Sequence, residues 1–371
     1  DADRFGIVDK GGVFFRPNQI LPMLVRYLGI ERGFKGRVIA TQTGSPLIEI
    51  LAGKIEGNED NEPAEGALPG YVSHPFYDIQ IGTREDRVLA HAFLVPVGIK
   101  YIEEIRRVDR SYQAEKPLPE NWRDRILIGG EESSGLTTRG HVTDKDGPWA
   151  NLLIMDMLAY FGTREENPLT TISEIWEDTV QMEGLWESFG CSPDDETSNT
   201  GRTDVDAPLE AKEAFINYYL ELPQKDESPK VAGMEIAFLG GIRYDVAEMQ
   251  LRDEAGDERY QLRVRASGTE PINRIYIESK DPQRGRAIMD AALAKLESLT
   301  IEEIRKAYSV WRLADMLSQT RLTVMAKQAV LDTIEERGWE MPEVTAKLQE
   351  TMTILENRNR KIAQGWLDAL T

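Results

Sequence analysis

The sequence has few of the residues that form disulfides and thiolate metal clusters. Its 371 residues include one cysteine, Cys191, and three histidines. A single cysteine excludes an internal disulfide and favours a reducing compartment, so we expect a cytoplasmic protein. No run approaches the roughly 18–20 consecutive apolar residues of a membrane span, and the first residues show neither a basic leader nor an apolar signal core. We therefore expect neither secretion nor membrane insertion.

Positive charge is also scarce. The chain has 44 Lys and Arg against 64 Asp and Glu, which gives a net charge of −20. Because such a field repels phosphate backbones, nucleic acid is not an expected partner. An anionic substrate would need positive charge concentrated locally, so Arg and Lys in Gly-rich loops become the candidate binding residues.

The order of hydrophobic patterns predicts more than one domain. Strand-like and helix-like segments alternate over residues 37–163, with a Gly-, Pro- and Glu-rich excursion loop at 54–75, and this alternation indicates a layered α/β domain with a mixed sheet. Runs of strands flanked by helices then indicate an α+β domain over residues 164–300. Residues 301–371 read as two long helices. We expect this helical extension to serve packing or oligomer contact, as in a homodimer, with a partner-binding helix as the alternative.

The stretch RVRASGTEPINRIYIES, residues 263–279, predicts a phosphate cradle. A turn between two strand-like runs offers guanidinium groups, hydroxyl donors and small residues that let backbone N–H groups approach an anion. The alternative is an ordinary polar hairpin. Glu270 fits a phosphate site only if it points away or pairs with an Arg. The candidate phosphate-binding residues are Arg265, Ser267, Gly268, Thr269 and Arg274.

The loop GGEESSGLTTRGHVTDKDGPWA, residues 129–150, follows a predicted buried strand. In an extended backbone Glu131 and Ser133 would point the same way, and a carboxylate beside a hydroxyl suits the vicinal diol of a sugar. His141 and Lys145 in the same loop are candidates for proton transfer. The alternative for His141 alone is a surface or hydrogen-bonding histidine.

The opening DADR places Asp1 and Asp3 at alternate positions, as in metal-binding loops, and Lys100 stands at a predicted strand-to-helix turn in VPVGIK. With GEES and RASGT, DADR resembles three ordered loops of the α-D-phosphohexomutase superfamily. The resemblance covers residues 1–300. It implies a remnant of mutase domain 2 at 1–36, domain 3 at 37–163 and domain 4 at 164–300.

The resemblance also implies roles for these residues. Asp1 and Asp3 match Mg²⁺ ligands, and Arg4 matches the catalytic arginine that follows them. Glu131 and Ser133 match the pair that holds sugar hydroxyls, while HVTDKDG and VGIK nominate His141, Lys145 and Lys100 for substrate contact or proton transfer. The RASGT loop matches the site for the non-reacting phosphate.

Such enzymes interconvert hexose 1-phosphates and 6-phosphates through a phosphoserine and a hexose bisphosphate. The family's phosphoserine loop, typically Thr-Ala-Ser-His-Asn-Pro, and the first Asp-Gly of the metal loop have no counterpart before Asp1. Ser73 is a weak substitute because it follows the metal loop and lacks the Asn. We therefore expect an incomplete Mg²⁺ site and no turnover by this chain alone.

Glucose is the favoured hexose, with mannose next and glucosamine third. A truncated, non-catalytic sugar-phosphate-binding protein and a phosphoglucosamine mutase remain the alternatives.

Overall fold

The computed structural model describes residues 2–57, 79–81, 92–95, 97–107, 126–182, 185, 201–207, 209–226, 228–242, 245–267, 270–279 and 281–299. Several predictions fall outside these residues and stay predictions. They concern Asp1, Ser73, Gly268, Thr269 and the helical extension 301–371 with its dimer contact.

The elements up to residue 182 include both strands and helices. They are β1 (Ile7–Val8), β2 (Phe14–Phe15), α1 (Pro17–Val25), a π-helical segment (Arg26–Glu31), β3 (Arg37–Thr41), α2 (Pro46–Gly53), β4 (Ile79–Ile81), β5 (Phe93–Val95), α3 (Ile99–Arg107), β6 (Ile126–Gly130), β7 (Leu136–Thr138), α4 (Gly147–Gly162) and α5 (Ile172–Val180).

The first sheet is mixed, as predicted. Its order is β5-β3-β6-β7; β3 is parallel to β5 and β6, while β7 runs antiparallel to β6. Because β7 lies inside the predicted polar loop 129–150, that loop doubles back onto its own strand. The layered α/β fold class is confirmed.

Helix α1 differs in detail from its prediction. The segment PNQILPMLVRYLGI, residues 17–30, predicts a helix with Asn18 as the N-cap and Gly29 as the stop. Instead Pro17 occupies the first helical turn after Arg16, and the helix continues as a π-helical segment through Gly29. A Cβ on Gly29 would lie 2.3 Å from Ile55 Cδ1, so this glycine permits close packing rather than ending the helix.

One core joins most of this α/β unit. Leu24 of α1, Ile154 of α4 and Trp176 of α5 belong to the same buried cluster. The predicted domain limits at 36/37 and 163/164 would separate α1 and α5 from the core that they help to form. We therefore prefer limits that keep both helices with the first sheet.

The second unit is built on an antiparallel sheet. Its elements are β8 (Gly201–Asp206), α6 (Leu209–Leu220), α7 (Leu222–Lys225), β9 (Lys230–Val231), β10 (Met234–Ile242), β11 (Val246–Arg252), β12 (Tyr260–Ala266), β13 (Ile272–Ser279) and α8 (Pro282–Glu297). The order is β4-β10-β11-β12-β13-β8, with β9 also paired to β10. The sequence did not predict that β4, which follows the excursion loop 54–75 of the first unit, would pair with β10.

The strand period of two gives this sheet two unlike faces. Leu262, Val264, Ile275 and Ile277 pack into the second core with residues of α6 and α8. The alternate positions therefore point to the opposite face, which carries most of the sheet's charge. Those positions on β12 and β13 are Arg263, Arg265, Arg274, Tyr276 and Glu278.

Within the described part of the chain, no helix combines the length and apolar character that a membrane crossing requires.

Candidate functional site

A cleft of about 770 Å³ lies between the two units. On one side are the N-terminal hairpin, the start of α1 and the turn after β6; on the other are β8 and β13. Its arginines are Arg4, Arg16, Arg202 and Arg274, and its carboxylates include Glu132, Asp204 and Glu278. The cleft thus concentrates guanidinium groups locally in a chain of net charge −20.

Arg265 and Arg274 occupy directly opposed positions on β12 and β13. Opposed side chains of an antiparallel pair lie on one face with Cβ atoms about 4.5–5.5 Å apart. The sequence had placed Arg274 on the next strand, and the register sets it opposite Arg265 on the same face of the sheet. Arg274 Nη2 donates to Glu270 Oε2 at 2.7 Å, which meets the condition that Glu270 pair with an arginine.

The turn between these strands is anchored from α6. Lys212 is buried and its Nζ donates to the carbonyls of Ser267 at 2.6 Å and Glu270 at 2.8 Å. Ser267 Oγ accepts from the backbone N–H of Glu270 at 3.2 Å. The sequence analysis missed Lys212 because α6 lies about fifty residues before the turn. Its only local signal was a lysine next to the apolar residues Ala211, Ala214 and Phe215 of the predicted helix.

Glu131 and Ser133 lie in a tight turn. The Ser134 N–H donates to the Glu131 carbonyl at 3.2 Å, and Ser134 has a φ of 75°. The extended backbone that we expected at Glu131 and Ser133 is wrong, because this hydrogen bond folds the segment into a turn. The two side chains still meet: Ser133 Oγ donates to Glu131 Oε2 at 3.4 Å. Burial raises the pKa of the Glu131 carboxyl, and the Lys145 ammonium opposes that shift.

Lys145 connects the sugar turn with the N-terminal segment. Its Nζ lies 3.0 Å from Asp3 Oδ2 and 3.8 Å from Glu131 Oε2. The hydrogen bond from Lys145 lowers the pKa of Asp3. Arg4 Nη1 donates to the Ser133 carbonyl at 3.2 Å. The structure therefore brings Asp3 and Arg4 of the N-terminal segment together with Glu131, Ser133 and Lys145 of the loop 129–150.

The described residues do not by themselves fit a Mg²⁺ site. Among them no group of three or more His, Cys, Asp or Glu side chains could hold a metal ion. The one described candidate ligand, Asp3, is paired with Lys145. Mg²⁺ takes near-octahedral oxygen coordination, which one lysine-paired carboxylate does not provide.

His141 precedes α4 in the chain and packs against the first turn of this helix. Its Nε2 is 3.0 Å from Asp146 Oδ2, and its ring stacks on Trp149 with centroids 4.6 Å apart. Asp146 caps α4 by accepting a hydrogen bond from the Trp149 N–H. This hydrogen bond lowers the pKa of Asp146, and the hydrogen bond with His141 lowers it further. Lys100 is exposed on α3, with Nζ 4.7 Å from the Tyr101 ring. Of the described candidate residues, those that line the cleft are Arg4, Ser133 and Arg274, and those that do not are Asp3, Lys100, Glu131, His141, Lys145, Arg265 and Ser267.

Sequence reasoning also missed the residues that join the two units. Arg263 is fully buried, and its Nη1 donates to the Gly44 carbonyl of the first unit at 2.8 Å. Glu132 accepts a hydrogen bond from Tyr276 of β13. Strand alternation could have placed Arg263 and Tyr276 on the face of Arg265 and Arg274. No local signal identified Glu132.

These features define a layered α/β domain with an acidic turn that contacts the charged face of an antiparallel sheet. The model of the phosphoglucomutase/phosphomannomutase family, alpha/beta/alpha domain III, matches residues 90–181. Residues 90–181 therefore match domain III of this family, in agreement with the resemblance to the α-D-phosphohexomutase superfamily. The matched range ends one residue after α5, consistent with the packing of that helix.

Solved structures of similar proteins have low identity to the chain. A protein named as a phosphomannomutase from Thermus thermophilus is 20% identical with a TM-score of 0.45, covering 80% of this chain and 44% of its own. The phosphoglucomutase pp63/parafusin of Paramecium, in its open form, is 19% identical with a TM-score of 0.44, covering 82% and 43%.

A phosphoglucomutase/phosphomannomutase family protein of Burkholderia thailandensis is 14% identical with a TM-score of 0.44, covering 80% and 45%. The chain thus spans less than half the length of these three structures. No curated protein sequence matches it.

Proposed function

We propose that this chain is part of a phosphohexomutase that interconverts hexose 1-phosphates and 6-phosphates, with glucose as the favoured hexose. The observation that carries the proposal is the phosphohexomutase domain III at residues 90–181, whose Glu131–Ser133 turn contacts the arginine-bearing sheet. Because the chain covers less than half of its solved relatives, the activity belongs to the whole protein. The single cysteine supports a cytoplasmic location.

We assign each residue its proposed role from its position in the structure. Arg265 and Arg274 hold the non-reacting phosphate, since two opposed guanidinium groups present donors that match phosphate oxygens. The Ser267 turn, fixed by Lys212, adds donors beside them. Because Arg274 lines the cleft, a bound phosphate there leaves the sugar directed toward the first unit.

The sugar is held by the turn after β6. The Glu131 carboxylate accepts from two hydroxyls, and Ser133 donates or accepts, so the pair serves a sugar in either orientation. Lys145 supplies positive charge beside Glu131, and Arg4 extends it toward the cleft. His141, held by Asp146, is the remaining proton-transfer candidate. Mg²⁺ enters the proposal only through the family resemblance, and none of these roles depends on it.

Binding is the measurement that tests the proposal, because the candidate phosphate and sugar contacts lie within this chain. We expect the chain to bind glucose 1-phosphate in titration calorimetry. Arg265→Ala and Arg274→Ala should each weaken binding by about 10–100-fold, since a hydrogen bond to a charged group contributes roughly 1.5–3 kcal/mol.

Arg252→Ala is the matched control. Arg252 lies on β11 at the end opposite Val246, the residue that pairs with Arg265, and its partner is Glu258. It should bind like wild type. Equal affinity in all four proteins would reject the phosphate cradle. Binding without turnover by the full-length protein, assayed with the glucose, mannose and glucosamine 1-phosphates, would favour a non-catalytic binding protein.

A further inference from the structure

Glu132 lies between Glu131 and Ser133 but faces away from them, into the contact between the two units. Its carboxylate is almost fully buried and accepts from Thr41 Oγ1 at 3.0 Å and from the Tyr276 hydroxyl at 3.1 Å. Arg265 Nη1 lies 3.6 Å from the same carboxylate. One side chain of the sugar turn therefore contacts β3, β12 and β13.

Arg265 requires a carboxylate partner because of its position in the sheet. It stands directly opposite Arg274 across β12 and β13, and like charges in that position destabilise a sheet. Arg274 is held by Glu270 from its own turn. For Arg265 the nearest carboxylates are Glu132 at 3.6 Å and Asp245 at 3.8 Å. Of these two, Glu132 is the one that is itself fixed by two hydroxyl donors.

We infer that Glu132 is a positioning residue, which orients Arg265 for phosphate and couples the sugar turn to the phosphate-binding strands. The inference deepens the proposed function and rests on it. Since Glu132 shares its turn with Glu131 and Ser133, a displacement of the sugar turn also displaces the anchor of Arg265. The distance between sugar and phosphate contacts is thereby fixed across the cleft.

Tyr276 supports this arrangement as a permanent donor. Burial raises the pKa of Tyr276 above its ordinary value, and the negative charge of Glu132 raises it further. The hydroxyl therefore keeps its proton at neutral pH and continues to hold one carboxylate oxygen. Thr41 holds the other oxygen from the end of β3.

The direction in which Glu132→Gln changes the affinity for phosphate distinguishes a positioning role from a purely electrostatic one. Glu132→Gln keeps the shape of the side chain but removes a negative charge near the phosphate site. If the carboxylate acted only through its charge, its loss would tighten phosphate binding. If it positions Arg265, its loss weakens binding of glucose 1-phosphate, because a misplaced contact group loses much of its effect.

The experiment compares wild type, Glu132→Gln and Glu248→Gln in the full chain by titration with glucose 1-phosphate. Glu248 is the matched control: it is equally buried, and its carboxylate lies 3.4 Å from Arg263 rather than beside Arg265. We expect roughly tenfold weaker binding for Glu132→Gln and wild-type binding for Glu248→Gln. Unchanged or tighter binding by Glu132→Gln would overturn the inference.

A ligand-free readout separates this inference from the proposed function. In crystal structures of the unliganded proteins, Arg265 should leave its place in Glu132→Gln and keep it in Glu248→Gln. An unmoved Arg265 in Glu132→Gln would overturn the inference, whatever the affinities. Failure of wild type to bind glucose 1-phosphate would instead reject the proposed function.

A milder variant covers the case in which Glu132→Gln fails to fold. Tyr276→Phe keeps the carboxylate and removes one of its two hydroxyl donors. It should weaken binding in the same direction by a smaller factor. Wild-type affinity in Tyr276→Phe would likewise count against the inference.

Discussion

Glu278 provides a stability test that needs no ligand. It lines the cleft from β13 and is almost fully buried. Burial raises the pKa of Glu278 to about 7, and Arg263 opposes the shift. Near neutral pH the folded protein therefore holds a carboxyl that is partly protonated, on the face that also carries Arg265 and Arg274.

The magnitude follows from linkage. The ordinary pKa is 4.5, so between pH 4.5 and about 7 the folded state binds more protons than the unfolded state. The free energy of unfolding consequently falls as pH rises through this window. At about 1.36 kcal/mol per pKa unit, the cost above pH 7 is about 3 kcal/mol. Glu278→Gln, which cannot ionise, should be more stable than wild type by about that amount at pH 8 and by about nothing at pH 4.

Urea unfolding of both proteins from pH 4 to pH 8 measures this difference. Glu235→Gln, an exposed glutamate on β10, is the control and should leave the pH dependence unchanged. The reasoning is refuted if Glu278→Gln and wild type lose stability in parallel as pH rises. It is also refuted if the variant shows no gain at pH 8.

Two further substitutions test the sugar turn and its support. Glu131→Gln should weaken binding of glucose 1-phosphate by about tenfold, because an amide offers one acceptor oxygen where the carboxylate offers two. Calorimetry with inorganic phosphate should show no change, and a similar loss for both ligands would contradict a sugar-specific role. Gly147→Ala should lower Tm through a loss of roughly 1–3 kcal/mol, since its Cβ would lie 2.3 Å from the Arg4 carbonyl oxygen and 2.8 Å from that of Ala2. Gly201→Ala, with no atom within 4 Å of its added Cβ, is the control for thermal melts, and equal Tm values would contradict the clash.

The elements of the fold were largely readable from local pattern. Alternation in RVRAS and NRIYIES predicted two strands and placed Arg274 on the second of them, because side chains of a strand alternate between faces. The apolar segment WANLLIMDMLAYFG, residues 149–162, predicts a helix, and the structure has α4 there. Where a prediction from local pattern was wrong, a backbone hydrogen bond imposed a different conformation. The Glu131–Ser134 hydrogen bond turned an expected extended segment into a tight turn.

Contacts between segments that are distant in sequence could not be predicted from local pattern. β4 pairs with the sheet of the other unit, and α5 packs with the unit before the predicted boundary. Neither fact has a local signature, because a helix or strand of suitable polarity can pack on any complementary surface. The burial of Lys212 and Arg263 is of the same kind, since a charged residue usually indicates an exposed position.

The sequence by itself determined the residue types and the order of the loops that resemble phosphohexomutases, because each loop is a short contiguous segment. The tertiary structure decided which of these side chains meet. It set Arg265 opposite Arg274, placed Lys145 between Asp3 and Glu131, and joined Glu132 to Tyr276 across 144 residues of chain. Burial then decided the protonation of Glu278 and the fixed geometry of Glu132, since desolvation depends on everything packed around a group rather than on its neighbours in sequence.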